Sequence, residues 1–579
     1  MEIIRKGIPV SSGFAIGEAI VLDTEEFRIP QRTVAPEEVE PEVVRLQRAV
    51  EASRREFEGH LTRLSKKTSG IAQILQAHLG LLTDPQLADD LISTIRKNRF
   101  TAEYSVSRTL KKKIKVLQDS GSSVFQAVIR DFSEIEKALI RQLLGAKRED
   151  ISRLTKKVVV VAHDLTPAQT LAFDREKVLG MVTEVGGRTS HTAIVAASFG
   201  IPAVVGVEGV TTAVSGGDTI ILDGTGGTVI VNPSEATLKR YQAMERNYVL
   251  LGRRLERELR DLPAETRDGH RAEILANIEL PGEVAAAIEH GAEGVGLYRT
   301  EYLYLQNGFN PTEPVQIDAY RQAVQLVGGR KLVIRTLDLG ADKMPLDSFP
   351  REDNPFLGTR AVRLCLERRD IFRTQLRAIL KTASMGQVHV MIPMISSLHE
   401  VIEVREFVDE VRRELQREGE SIPSKVPIGI MVEVPSTAIV ADLMADHVDF
   451  FSIGTNDLIA YSIAVDRLNE RVASLYQPSH PAILRLLRHV IQVGEARGKP
   501  VSVCGEMSSD PVYTILLLGL GLKCFSVVPP AIPEIKKIVR SVTMEEARAV
   551  AGKAFEFSDA RKTEEFLRSE TRKIIPDAL

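Results

Sequence analysis

The run Gly186-Gly187-Arg188-Thr189-Ser190-His191-Thr192 gathers a guanidinium, three hydroxyls and one imidazole behind two glycines. Glycines let a backbone turn tightly and approach a bound group closely. Ser190 suits an N-cap, because the residues from Thr192 to Phe199 read as a short helix stopped by Gly200 and Pro202. His191 then falls in the first helical turn, where free N–H groups and the helix dipole favour an anion. A neutral imidazole nitrogen there is placed to take a phosphoryl group, with Arg188 and the helix end holding its charge. The plainer reading is a capped surface helix that carries a lone histidine. The rest of the chain decides between them.

A second set of reactive groups lies downstream, each at the end of an apolar run. These are Arg299-Thr300-Glu301, Arg335 followed by Asp338, Glu433 after Met431-Val432, Asn456-Asp457 with Asp466-Arg467 beyond, and Cys504-Gly505-Glu506. Glu433 and Asp457 supply the hard carboxylate oxygens that Mg²⁺ prefers. Arg299, Arg335 and Arg467 supply forked donors for phosphate and carboxylate. Cys504 is the one thiol at a predicted strand end, and a thiol there can donate a proton. Singly, each has a plain reading as a salt-bridged arginine, a structural cap or a small buried hydrophobe. Together, at successive strand ends, they describe a site for a small, multiply anionic molecule. Cys365 and Cys524 read as core residues.

The elements that position these groups follow from pattern. Eight candidate strands begin after Arg271: Ala272–Ile278, Gly294–Tyr298, Leu332–Leu337, Val388–Met394, Ile428–Val434, Phe450–Gly454, Val501–Cys504 and Phe525–Val528. Helical patterns separate them. Alternation alone also allows an open doubly wound sheet, but the count and length favour a (β/α)₈ barrel, whose chemistry gathers at the carboxyl ends of the strands. Upstream, residues 1–22 and the segments from Lys156 to Val231 read as a small mixed α/β domain that carries His191. Between them, apolar periodicity from about Pro36 to Gly145 predicts a helical bundle. That bundle has either only its own core to fill or a docking surface to offer. A long charged helix over 234–262, ended by Pro263, predicts an interdomain linker. The expected fold class is therefore multidomain α/β: a swivelling α/β domain with a helical insert, a linker helix and a C-terminal (β/α)₈ barrel.

Composition bounds the rest. A chain of 579 residues suggests about three or four domains. A net charge of −3 shows no bias toward nucleic acid or anionic membrane, and the absence of Trp argues against base-stacking surfaces. Three scattered cysteines make neither a disulfide framework nor a zinc site. No stretch approaches the ~20 apolar residues that cross a bilayer, and the N-terminus lacks a signal-like run. The expected setting is the cytoplasm.

With these residues in hand, the chain resembles enzyme I of the bacterial phosphotransferase system along essentially its whole length. The resemblance rests on the Gly186–Thr192 run, Gly296-Leu297-Tyr298-Arg299-Thr300-Glu301, Ile334–Asp338, Asn354–Arg360, Ser452–Leu458, Ala464–Arg467 and Cys504-Gly505-Glu506. It implies that His191 is phosphorylated on Nε2. It implies that Arg299, Arg335, Asn456, Asp457 and Arg467 bind phosphoenolpyruvate, with Arg360 nearby, that Glu433 and Asp457 hold Mg²⁺, and that Cys504 protonates the departing enolate to give pyruvate. Residues 1–35 and 146–233 would form the phosphohistidine domain and 36–145 the docking domain for the carrier HPr. Residues 234–263 would be the linker, and 264–579 the phosphoenolpyruvate-binding barrel and homodimer interface. A histidine so far from the barrel implies a swivel, with hinges near 155–157 and in the linker helix. Ala341, Val434 and Ile459-Ala460 depart from the commonest pattern without removing a reactive group. No sensor-like domain precedes residue 1, so the nitrogen-regulating variant fits less well. Pyruvate dikinases share the histidine and barrel but need a nucleotide-binding domain for which this chain has no room. A regulatory phosphorelay or binding paralogue is the other alternative, and the intact strand-end residues argue against it.

Overall fold

Valine- and isoleucine-rich runs between glycines and prolines form the strands of two sheets. The structure, a computed structural model, describes residues 2–22, 32–63, 79–82, 84–119, 132, 135–136, 138–140, 142–143, 156–165, 177–187, 196, 200–340, 352, 354–466, 469, 472 and 475–575. The chain divides into one unit of Met1–Leu22 with Thr155–Leu579 and another of Asp23–Leu154.

In the first unit, β1 (Ile3–Lys6), β2 (Ile8–Ser11), β3 (Phe14–Leu22), β4 (Val158–Ala162), β5 (Val178–Thr183), β6 (Ala203–Val205), β7 (Thr219–Asp223) and β8 (Thr228–Val231) make one sheet. Its order is β1-β8-β7-β3-β4-β5-β6-β2. The strands β3 to β6 run parallel, and the others pair antiparallel. The strands β7 and β8 form a hairpin. Its turn is held by Asp223 Oδ1, which accepts from the amides of Thr225 and Gly226 at 3.1 and 2.6 Å. Gly227 closes it at φ 65°, where a Cβ would sit 2.6 Å from the Gly7 carbonyl.

The helix predicted as a linker runs Glu235–Leu259, with Ser234 Oγ capping the Thr237 amide. Its first turns place Leu238 and Tyr241 against Phe14, Ile16, Ile221 and Ile230 of the sheet. Its last carbonyls meet a cation, as a helix C-terminus favours. Lys536 Nζ donates to the carbonyls of Leu259 and Arg260 at 3.2 and 2.8 Å, and Arg540 Nη1 donates to that of Pro263 at 2.7 Å.

Beyond it, β9 (Ala264–Glu265) pairs antiparallel with β10 (Arg271–Ile278), an addition absent from the predicted pattern. Then come β11 (Val295–Tyr298), β12 (Leu332–Arg335), β13 (Val388–Ile392), β14 (Ile428–Val432), β15 (Phe451–Ile453), β16 (Val501–Val503) and β17 (Cys524–Val527). Each of β10 to β17 is parallel to the next, and β17 closes on β10. The open-sheet alternative is thereby excluded. The predicted strands three, four and five end early, because the chain leaves the ladder to form the loops that carry the site. Cys365 is buried as expected, whereas Cys524, at the start of β17, is only partly so.

Among the described residues of the unit Asp23–Leu154, three helices cover Val39–Arg63, Pro85–Asn98 and Ala102–Asp119. Leu87, Leu91 and Ile95 recur at helical spacing and meet Val43, Leu46, Val106, Leu110 and Leu139 in a shared core. Asp84 caps its helix through the Gln86 amide at 2.9 Å. The Glu42 carboxylate, buried, accepts from the Ala102 amide at 2.7 Å and so fixes the third helix to the first. The stretches 64–78 and 120–131 of the expected bundle, and part of 133–145, lie outside the described residues.

Candidate active site

Three carboxylates meet at the carboxyl ends of the barrel strands. Asp338 follows β12, Glu433 follows β14 and Asp457 follows β15, and one oxygen of each lies within 4.8 Å of the others. Glu433 is 2 % exposed. Its Oε1 accepts from the Met394 amide at 2.6 Å, and Met394 holds φ 58°, a strained value for a side chain of this size. Gly454 leaves room for the same carboxylate, since a Cβ there would come within 2.8 Å of Glu433 Oε2. Burial first, then the Asp338 and Asp457 carboxylates, push the Glu433 carboxyl well above the usual range. Asp457 Oδ1 is buried with no hydrogen-bond partner.

Two guanidinium groups are drawn into this cluster. Arg335, buried at the end of β12, pairs with Glu301 Oε2 at 3.1 Å and Asp338 Oδ2 at 2.9 Å. Arg360 pairs with Asp338 Oδ1 at 2.9 Å and Asp457 Oδ2 at 3.1 Å. Its charge lies 5.0 Å from the Phe356 ring centroid. Arg360, expected only near the site, is part of it. An unpartnered, buried Asp457 oxygen beside a carboxyl that resists ionisation is what a divalent cation would relieve, so the donor set fits Mg²⁺.

The neighbouring strand ends add the other polar groups. Asn456 Nδ2 donates to Glu506 Oε1, and the Glu506 amide donates back to Asn456 Oδ1, both at 2.9 Å. This reciprocal pair fixes the Asn456 amide. Cys504 is buried after β16, and Asn277 Nδ2 holds its carbonyl at 3.1 Å. Burial pushes the Cys504 thiol up, which keeps its proton in place. Arg299, paired with Glu279 at 3.0 Å, lines a cleft of about 540 Å³ together with Cys504, Asn277 and Glu506. Gly200 of the small α/β domain, downstream of His191, lines the same cleft and packs against Pro530.

Glu534 also lines this cleft, beside Tyr248 of the linker helix. Burial, then the Asp510 carboxylate, push its carboxyl up to about 7. A raised carboxyl contributes stability that is complete below its unfolded value and lost as pH rises through the folded one. Thermal stability should therefore fall between about pH 4 and pH 7, and Glu534→Gln should flatten that fall. An unchanged slope in melting curves across this range would refute it.

The structure thus brings Arg335, Arg360, Glu433, Asn456, Asp457 and Cys504 to one barrel mouth, with Arg299, which follows β11, lining the same cleft as Cys504. His191, with Arg188 and Ser190, lies outside the described residues, as do Arg467 and Ala341. Val434 is half-buried, and Ile459 and Ala460 are buried behind Asp457. Sequence reasoning gave no role to Asp338 or Glu506. Asp338 stood three residues beyond Arg335, a spacing that brings the two together once the strand ends.

Comparison with known proteins decides the family. Three family models match in order: PEP-utilising enzyme, N-terminal, over residues 6–127; the mobile domain over 154–227; and the PEP-binding domain over 253–544. The phosphoenolpyruvate-protein phosphotransferase of Geobacillus stearothermophilus is 41% identical over 564 residues, covering 97% of both chains. That of Bacillus subtilis (strain 168) is 39% identical over 97% of this chain and 99% of its own. That of Haemophilus influenzae is 38% identical over 97% and 98%. The chain belongs to the phosphoenolpyruvate-protein phosphotransferase family. It is an enzyme of that class, an enzyme I of the phosphotransferase system that uses phosphoenolpyruvate. In this phosphotransferase the PEP-binding match covers most of the barrel, including every site residue described above, and the mobile-domain match spans His191. Among its described residues no helix is long and apolar enough to cross a membrane.

Proposed function

We propose that the protein phosphorylates itself on His191 from phosphoenolpyruvate, releases pyruvate, and passes the phosphoryl group to the histidine of an HPr-like carrier. This is the first step of sugar uptake by the phosphotransferase system. The observation that carries the reading is the barrel mouth, where three carboxylates, the buried Arg335, the half-buried Arg360 and a thiol held protonated by burial converge.

Arg299, Arg335, Arg360 and Arg467 bind the phosphate and carboxylate of the substrate, and Asn456 orients it. Arg335 and Arg360 exchange their pairing with Asp338 for the incoming anion. Glu433 and Asp457 would hold Mg²⁺, with Asp338 beside them, and the ion would supply charge stabilisation for the transferring group. His191 presents a neutral nitrogen in line with the scissile P–O bond. The enolate that leaves accepts a proton at carbon from Cys504, which makes the transfer downhill. Residues 1–35 and 146–233 then carry phospho-His191 from the barrel to a carrier docked on 36–145. The 234–263 linker turns between them, and 264–579 forms the homodimer.

Incubation with labelled phosphoenolpyruvate, Mg²⁺ and candidate carriers, read by mass, tests this. An acid-labile, base-stable label that moves to a carrier is expected. Labelling by ATP instead, or none, would overturn the reading. Cys504→Ala is expected to slow pyruvate formation by about 10²- to 10⁴-fold, the range of a positioned proton donor. An unchanged rate of pyruvate release would remove that role.

A further inference from the structure

A (β/α)₈ barrel is ordinarily filled by bulky branched side chains. Leu297, Val333, Met391, Met431 and Phe450 fill it here beside Cys504. Along β15 and β16 the filling is hydroxylic instead. Ser452 and Ser502 are partners across that ladder, and Ser502 Oγ donates to Ser452 Oγ at 3.1 Å. Ser452 is 1 % exposed, and its hydroxyl lies against the Cys504 sulfur, whose S–H donates to the Ile453 carbonyl at 3.6 Å. Ser502 is half-buried. Its ladder partner is Cys524, whose own partner is Glu273. Glu273 pairs with Lys331 at 2.7 Å, and these side chains are 35% and 27% exposed. The polar run therefore leads from the thiol, away from the substrate, to the water-accessible amino ends of the strands.

We propose that Ser452 and Ser502 are a proton lane that reloads Cys504 from the amino-terminal mouth of the barrel. The proposal rests on the proton-donor role of Cys504 given above. Substrate and the domain bearing His191 fill the opposite mouth during transfer and exclude water there. A thiolate formed at a buried sulfur then needs its proton from below. The enolate π pair forms the new C–H bond, and the S–H pair stays on sulfur. Ser452 gives its hydroxyl proton to that sulfur and takes one from Ser502, which takes one from water. The hydroxide left at the mouth is balanced by the proton that the phosphorylated imidazole releases. Ser452 and Ser502 act through Cys504 and touch no substrate.

The test compares Ser452→Ala, Ser452→Thr and Ser502→Ala in the full chain with phosphoenolpyruvate and Mg²⁺. Ser452→Ala should leave the KM for phosphoenolpyruvate and first-turnover labelling of His191 in place. It should slow steady-state pyruvate release on the order of 10²-fold, the lower end for a positioned proton donor, and enlarge the solvent deuterium isotope effect. Ser452→Thr, which keeps the hydroxyl, should restore the rate. In a Cys504→Ala background, Ser452→Ala should add no further loss, as expected of groups acting in one path. Ser502→Ala should slow the same step and serves if Ser452→Ala fails to fold. Normal pyruvate release in either alanine variant, or an additive loss without Cys504, would overturn the lane while leaving the phosphotransfer reading intact. A wild-type chain that takes no label from phosphoenolpyruvate would overturn both.

Discussion

His191→Ala is expected to abolish labelling of the protein by phosphoenolpyruvate and all delivery to a carrier. The expectation follows from separation of duties. On this reading the barrel mouth supplies electrostatics and a proton but no phosphoryl acceptor among its described groups: Asp338 and Asp457 pair with arginines, burial raises the Glu433 carboxyl, and burial keeps Cys504 protonated. The phosphoryl group must therefore land on something brought from outside the barrel, and the mobile-domain match spans the one histidine set at the head of a predicted helix. The substitution leaves the barrel untouched, so binding of phosphoenolpyruvate measured by calorimetry should persist while mass spectrometry shows no phosphorylated species. Full labelling in the variant would place the acceptor elsewhere and end this account.

The second large effect is expected from Glu433→Gln. The wild-type carboxyl is held above its ordinary range by burial and by the Asp338 and Asp457 carboxylates. Its stabilising contribution is therefore complete below the unfolded carboxyl value, about 4.3, and is lost as pH rises through the higher folded value. Metal-free protein should accordingly weaken as pH rises, and Mg²⁺ should restore it by binding the folded form. In Glu433→Gln the repulsion is gone, so metal-free melting should occur at higher temperature and added Mg²⁺ should raise it less. Turnover should fall by about 10²- to 10³-fold, the usual consequence of losing one preorganised electrostatic group. A magnesium titration that matches wild type, in both melting and rate, would remove Glu433 from the metal site.

Much of this was legible in the chain. All eight barrel strands lie where buried β-branched runs meet turn residues, because parallel strands covered on both faces need continuous apolar sequence. The strand ends were misjudged for a related reason. Leu337 and Met394 are apolar and buried, so they read as more strand, yet there the backbone leaves the ladder, and their amides donate to Gln375 Oε1 and Glu433 Oε1. Which reactive residues touch was less legible. Asp338, Glu433 and Asp457 come from three strands, and only closure of the sheet brings them together. Arg360 arrives on an irregular loop with no periodic signal, and its two carboxylate partners lie on either side of it in sequence. Glu506 stood in the sequence only as the neighbour of Cys504, and its pairing with Asn456 depends on adjacent strands.

The grip of Lys536 and Arg540 on the carbonyls of Leu259, Arg260 and Pro263 turns one end of the linker into an anchored axle. Torque from the travelling domain would meet this anchor before it reached the barrel, so rotation would have to be absorbed upstream, among residues that pack on the sheet through Leu238 and Tyr241. A chemical staple across the anchor should therefore leave delivery running, whereas one joining Tyr241 to its sheet partners would freeze the axle's free end.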